Sequence, residues 1–230
     1  TTATNGAQNN TIQNNTISLG STYQNAFGIF STSSSSSLNA TLVATASTGT
    51  NSNNKFYSNT ISNVAYGMYF ICEPITATIF ETGIDIGGSS SATANTITFG
   101  KATLSDIGFQ RFSGVSPAGI NFRNGGYGDS VRFNSITSNS LPYAQSNGVF
   151  GIMMHGGGTA PIGVTYTSTI SDNIVNLTNT GATAITGIDF GAALSTGTIV
   201  GSNNMITLNQ TSSATNTKDV LGIKADYASA

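Results

Sequence analysis

Apolar residues in this chain fall in short runs, alternating with hydroxyl and amide side chains and bounded by Gly, Ser, Thr and Asn. Two phrases recur. The first is an Asn, a small or flexible residue, then Ile: Asn15-Thr16-Ile17, Asn59-Thr60-Ile61, Asn95-Thr96-Ile97, Asn134-Ser135-Ile136 and Asn204-Met205-Ile206, with a variant at Ser168-Thr169-Ile170. The second is a Gly before an apolar residue: Gly28-Ile29, Gly67-Met68, Gly83-Ile84, Gly119-Ile120, Gly151-Ile152, Gly187-Ile188 and Gly222-Ile223. The two phrases alternate with a period of about 35 residues, which marks a repeat architecture.

Alternation with a period of two predicts strands. In Gly83-Ile84-Asp85-Ile86 the two isoleucines share one face and Asp85 takes the other, a parity repeated around Asn121 and Asp189. No segment carries a helical stripe, and Thr, Ser, Asn and Gly are poor helix formers. A sandwich would give turn signals every 8 to 12 residues or so without a longer period. Two alternating phrases fit a coil of parallel strands, a β-helix of about six or seven irregular rungs over residues 1–230, each about 4.8 Å above the last. Stacked Asn amides can then hydrogen-bond from rung to rung. The Ile two residues later points into the core, and the Gly suits a positive φ or a close backbone approach.

In chain order, Asn9-Asn10-Thr11-Ile12 and Asn14-Asn15-Thr16-Ile17 overlap, and one of them is expected to be the rung strand with the other its neighbour across a bend. Residues 31–54 read as a long excursion, with the Ser33–Ser37 and Thr48–Asn54 tracts as loops. The stretch from Lys55 to Ile71 is the most apolar and reads as a well-buried rung, with Ile61 and Ile136 as core residues.

These phrases, set among Ser/Thr/Gly loops, resemble right-handed parallel β-helix repeat proteins, most closely the long secreted or surface proteins of Bacteroidota exported by the type IX route. The resemblance covers nearly the whole chain and implies an extracellular or cell-surface module. The phrases start within about ten residues of Thr1 and stop within about ten of Ala230, leaving no room for the polar caps of a free-standing repeat. The expectation is a piece of a longer chain, with continuing rungs, another copy or a partner protein at its open ends.

Composition narrows the function. Charged residues are 7% of the chain and net charge is −2, so no basic stripe exists for nucleic acid. Apolar content of 38% argues against disorder. A single cysteine, Cys72, forms no internal disulfide. No apolar run approaches the length of a membrane-spanning helix.

Polysaccharide lyases and glycoside hydrolases also use this fold, and need paired carboxylates or acidic metal ligands. The outward column of the Gly phrase reads Phe30, Tyr69, Asp85, Asn121, Met153, Asp189 and Lys224. That places Asp85 and Asp189 three rungs, about 14 Å, apart, too far to act as a pair. His155 lies in a Gly-rich stretch without the Lys-Ser/Thr ending of a phosphate loop. Arg123 and Asp129 flank a turn read as solvated, and Asp106 and Asp172-Asn173 lack the spacing of a calcium repeat. Tyr23, Tyr127 and Tyr143 are candidate sugar-stacking or edge-covering rings, and sequons at Asn39, Asn176 and Asn209 arise from composition.

No catalytic residue, cofactor or metal ligand is therefore expected. The leading expectation is a non-enzymatic structural or adhesive module whose partners include surface glycans. The alternative is a carbohydrate-active β-helix fragment, and a third reading is an ice-binding solenoid, against which the irregular loops count.

Overall fold

The computed structural model describes residues 5–19, 26–32, 44–72, 79–100, 116–123, 125–140, 148–154, 165–193, 197–211 and 219–227. They form a parallel β-helix of six rungs with three strands each. The first rung is β1 (Thr11–Gln13), β2 (Thr16–Ser18) and β3 (Phe27–Thr32), and the second is β4 (Lys55–Tyr57), β5 (Thr60–Val64) and β6 (Tyr66–Ile71). The third is β7 (Asp85–Ile86), β8 (Thr96–Phe99) and β9 (Ala118–Arg123), and the fourth β10 (Ser130–Arg132), β11 (Ser135–Ser138) and β12 (Val149–Met154). The fifth is β13 (Tyr166–Ser171), β14 (Ile174–Asn179) and β15 (Ile185–Ala193), and the sixth β16 (Gly197–Ser202), β17 (Met205–Gln210) and β18 (Val220–Tyr227). Each rung gives one strand to each of three six-stranded sheets: β1-β4-β7-β10-β13-β16, β2-β5-β8-β11-β14-β17 and β3-β6-β9-β12-β15-β18. Apart from two short 3-10 turns, the described residues contain no helix.

The recurrent Asn sits at the bend between the first- and second-sheet strands, and its amide forms a continuous ladder. The side-chain oxygen of each Asn accepts from both the backbone N–H and the side-chain amide of the Asn one rung earlier. Asn59 Oδ1 takes Asn15 N at 3.2 Å and Nδ2 at 2.9 Å, and Asn173 Oδ1 takes Asn134 N and Nδ2, both at 3.0 Å. The same pair of bonds joins Asn59 to Asn95, Asn95 to Asn134 and Asn173 to Asn204. The other amide hydrogen goes to a backbone carbonyl in the preceding rung's first strand, as from Asn95 to Phe56 O at 2.8 Å and from Asn173 to Val131 O at 2.8 Å. Asn59, Asn95, Asn134 and Asn173 are buried with their donors and acceptors used in this way, as a buried amide must be.

Side chains between the sheets fill the core in columns. The second sheet contributes Ile61, Ile97, Ile136 and Val175, the first Phe56, Ile86, Val131 and Ile170, and the third Met68, Ile120, Ile152 and Ile188. Ile61 and Ile136 are fully buried, as the alternation predicts. Above Met68 and Ile120, Phe70 and Phe122 stack with centroids 4.9 Å apart.

The Gly column of the third sheet is Gly28, Gly67, Gly119, Gly151, Gly187 and Gly222, and it is needed for close approach. None of these glycines has a positive φ. A Cβ on Gly119 would strike the Ile136 γ-methyl and the carbonyl oxygen of Gly151, and on Gly67 the Ile97 γ-methyl and the carbonyl of Gly119. The glycine lets the branched residue of the next rung lie against the strand.

Four expectations are revised. Both opening copies are rung strands, β1 and β2, on either side of a two-residue bend. Ser168-Thr169-Ile170 belongs to the first sheet, where Thr169 pairs with Ser130, and the fifth ladder residue is Asn173. Gly83-Ile84 also leads into the first sheet: Asp85 pairs with Lys55 and Ser130, so neither belongs to the Gly column. Thr48–Asn54 lies against the start of the chain instead of leaving the stack, with Gly6 N bonded to Thr48 O at 2.7 Å and Asn9 N to Ser52 O at 3.2 Å. Ser33–Ser37 lies outside the described residues.

Two outcomes follow. Asn134→Ala strands several buried polar groups and should cost more than about 3 kcal/mol, at about 1 to 3 per unsatisfied group, whereas the exposed Asn15→Ala should cost about 1 kcal/mol or less; urea unfolding separates them. Gly119→Ala should destabilise by about 1 to 3 kcal/mol through overpacking, while Gly222→Ala, with no atom within 4 Å of its added carbon, should be nearly neutral. Equal unfolding midpoints for the two glycine variants would contradict the close-approach account.

Candidate functional site

The acids proposed for the outward column do not share it. Asp85 lies on the first sheet in the third rung, and Asp189 on the third sheet in the fifth rung. The column next to the glycines reads Phe30, Tyr69, Asn121, Met153, Asp189 and Lys224. Asp85 accepts a hydrogen bond from Tyr57 Oη at 2.7 Å and meets Arg132 Nη2 at 3.4 Å. Partial burial, then the bond to Asp85, push the Tyr57 phenol up to about 12.

The outer side of the third sheet is covered, contrary to its reading as an outward face. Tyr69, Asn121, Met153 and Asp189 are all buried. Phe27 stacks on Tyr66 at 4.6 Å, Tyr69 meets both edge-on, and Arg123 hydrogen-bonds Tyr69. Asn121 Nδ2 reaches Met153 Sδ at 3.3 Å. Asp189 Oδ1 accepts from Gly191 N at 2.8 Å and Oδ2 faces Lys224 Nζ at 3.6 Å, so this carboxylate holds a bulge and a neighbouring strand.

Asp129 is also interior. The turn before it, read as solvated, is buried at Gly125, Gly126 and Tyr127, and Tyr127 packs edge-on against Phe80 and Tyr166. Register places Asp129 in a second, incomplete ladder at the entry to the first sheet: Asn10, Asn54, Ile84, Asp129 and Ser168 each precede paired residues. Asn54 Oδ1 accepts from Asn10 N at 2.9 Å, and Asp129 Oδ1 accepts from Ile84 N at 2.8 Å in the same way. Where an Asn would donate, Asp129 Oδ2 has no hydrogen-bond partner. Burial, with the Glu81 carboxylate adding to it, holds the Asp129 carboxyl well above its usual range against the backbone amides of Ile84 and Gly83. Burial likewise pushes the Cys72 thiol up, with Glu81 and Asp129 contributing, so it is a poor nucleophile.

Among the described residues, no group of three His, Cys, Asp or Glu is placed to hold a metal ion. The Asn173 amide is spent in the ladder, and Asp172 occupies the bend before it with φ 57°. His155, Asp106, Tyr23, Tyr143 and Asn39 lie outside the described residues, while Asn176 and Asn209 sit on the outer side of the second sheet. No helix among the described residues is long and apolar enough to cross a membrane.

The outer side of the second sheet is open, and there Thr16, Thr60, Thr96 and Ser135 stand in register. Its signal was in the first phrase, whose middle residue lies between a buried Asn and a buried Ile and must point outward.

No protein-family model, curated protein or solved structure matches this chain.

Because Asp129 has a raised folded pKa, its contribution to stability is full below the ordinary carboxylate pKa of about 3.9 and is lost as pH rises through the folded value. Asp129→Asn keeps an acceptor for Ile84 N and removes the buried charge. Its urea midpoint should exceed that of the parent at pH 7.5 and fall less between pH 4.5 and 7.5; a destabilised variant at pH 7.5 would refute the ladder assignment.

Proposed function

We propose that this chain is a non-enzymatic structural or adhesive repeat module of a large secreted or cell-surface protein, working outside the cell. The carrying observation is where the acids go: Asp85 binds Tyr57 and Arg132, Asp189 binds a backbone amide and Lys224, and Asp129 is sealed in the interior. A glycosidase needs two carboxyls flanking one accessible bond at roughly 5 to 9.5 Å, and these three are divided among two sheet faces and a buried corner. The resemblance to bacterial type IX-exported surface proteins of Bacteroidota supports the same reading, and secretion by that route belongs to the proposal.

Exposed apolar residues on the terminal rungs support partners at the ends. Ile12 and Leu19 are exposed at the first rung, and Val220 and Ile223 at the last. Ile223 continues the core column above Ile188 yet is 57% exposed. Together with unpaired strand edges, these residues suit a continuing rung, another copy or a partner protein; surface glycans complete the proposed set.

Incubated with a panel of pectins and β-glucans, with and without calcium, the folded chain should release no reducing ends or unsaturated products. Turnover that disappears in Asp189→Ala would overturn the proposal in favour of a carbohydrate-active enzyme.

A further inference from the structure

The second sheet carries two rows of side chains on its outer side, with a register shift between β5 and β8 after Ile61. The first row is Thr16, Thr60, Thr96 and Ser135, continued by Ile174 and Met205. The second row pairs Ser18 with Ser62, and Thr98 with Thr137, Asn176 and Thr207. Parallel strands repeat at about 4.8 Å along a row and residues i and i+2 at about 6.7 Å across it. In the first four rungs every position of the two rows is a Thr or Ser, so their hydroxyls, each donor and acceptor, lie on a near-rectangular grid.

Three features set this face apart. None of its six strands contains an ionisable residue, whereas the first sheet carries Lys55, Asp85 and Arg132. Its edge is held by the Asn ladder, and side-chain ladders favour a sheet with little twist. The bend leading into it is two residues long in five of the six rungs, and in the third rung residues 87–95 separate β7 from β8.

We propose that this face binds ice. Hydroxyls fixed at these two spacings anchor water in a pattern close to the oxygen repeats of an ice surface, and the intervening methyls restrict the orientations of first-shell water. Charge complementarity selects the same partner: the ice lattice excludes ions, and the grid has none. A saccharide ligand calls for aromatic rings to stack on, and no outward position of the two rows carries one. This inference goes beyond the scaffold reading, and its failure would leave the absence of turnover untouched.

The full chain should partition into a slowly growing ice hemisphere and hold the freezing point of a seeded droplet below its melting point. The Thr60→Lys/Thr96→Lys double variant should lose both effects, whereas Thr198→Lys on the first sheet should keep them, with circular dichroism melts confirming that each is folded. Thr137→Lys, in the other row, should show the same loss and replaces the double variant if that fails to fold. Exclusion of the folded parent from ice, activity that survives both row variants, or capture by crystalline cellulose or chitin without any effect on ice would overturn the proposal.

Discussion

The structure depends on one repeated interaction, an Asn amide that binds the amide of the Asn in the preceding rung. A parallel coil has to turn a corner in every rung, and each corner leaves backbone N–H and C=O groups that no strand partner can reach. The column from Asn15 to Asn204 supplies the missing partners, and it spends both hydrogens and the oxygen of its buried members in doing so. Around this column the isoleucines need only parity to find the core.

The low charge of the chain follows from the same arrangement. Where an acid does enter a corner, at Asp129, it receives one backbone bond and leaves a second oxygen unpartnered. Burial strengthens that carboxyl's hold on its proton, which ties it to structure and away from substrates. The exposed second sheet needs no charge because hydroxyls meet the solvent. Its strands carry no ionisable group at all.

Much of this was legible in the residues. Asn-x-Ile reported both the ladder and the core, because the bend before it is tight and invariant in length in most rungs. The Gly phrase was harder. Gly83-Ile84 resembles the third-sheet copies, but Gly83 is a bend residue with φ 73°, while Gly119 is a close-approach residue with no positive φ. One letter served two physical purposes, and the sequence did not separate them. Burial of Tyr69, Asn121 and Asp189 was equally hidden, since alternation assigns a face and says nothing of whether that face is covered.

The ladder also has a direction. Every oxygen in it accepts from the rung before, so the first rung ends on the amide oxygen of Asn15 and the last on the Asn204 amide, whose Nδ2 keeps one hydrogen beyond its bond to Ile170 O. The two ends are chemically complementary and unlike one another. Contact through them is heterologous, head to tail, and cannot close on itself as a two-fold dimer does. Any assembly built by extending this column is a polar fibre, with growth at its two tips governed by different groups.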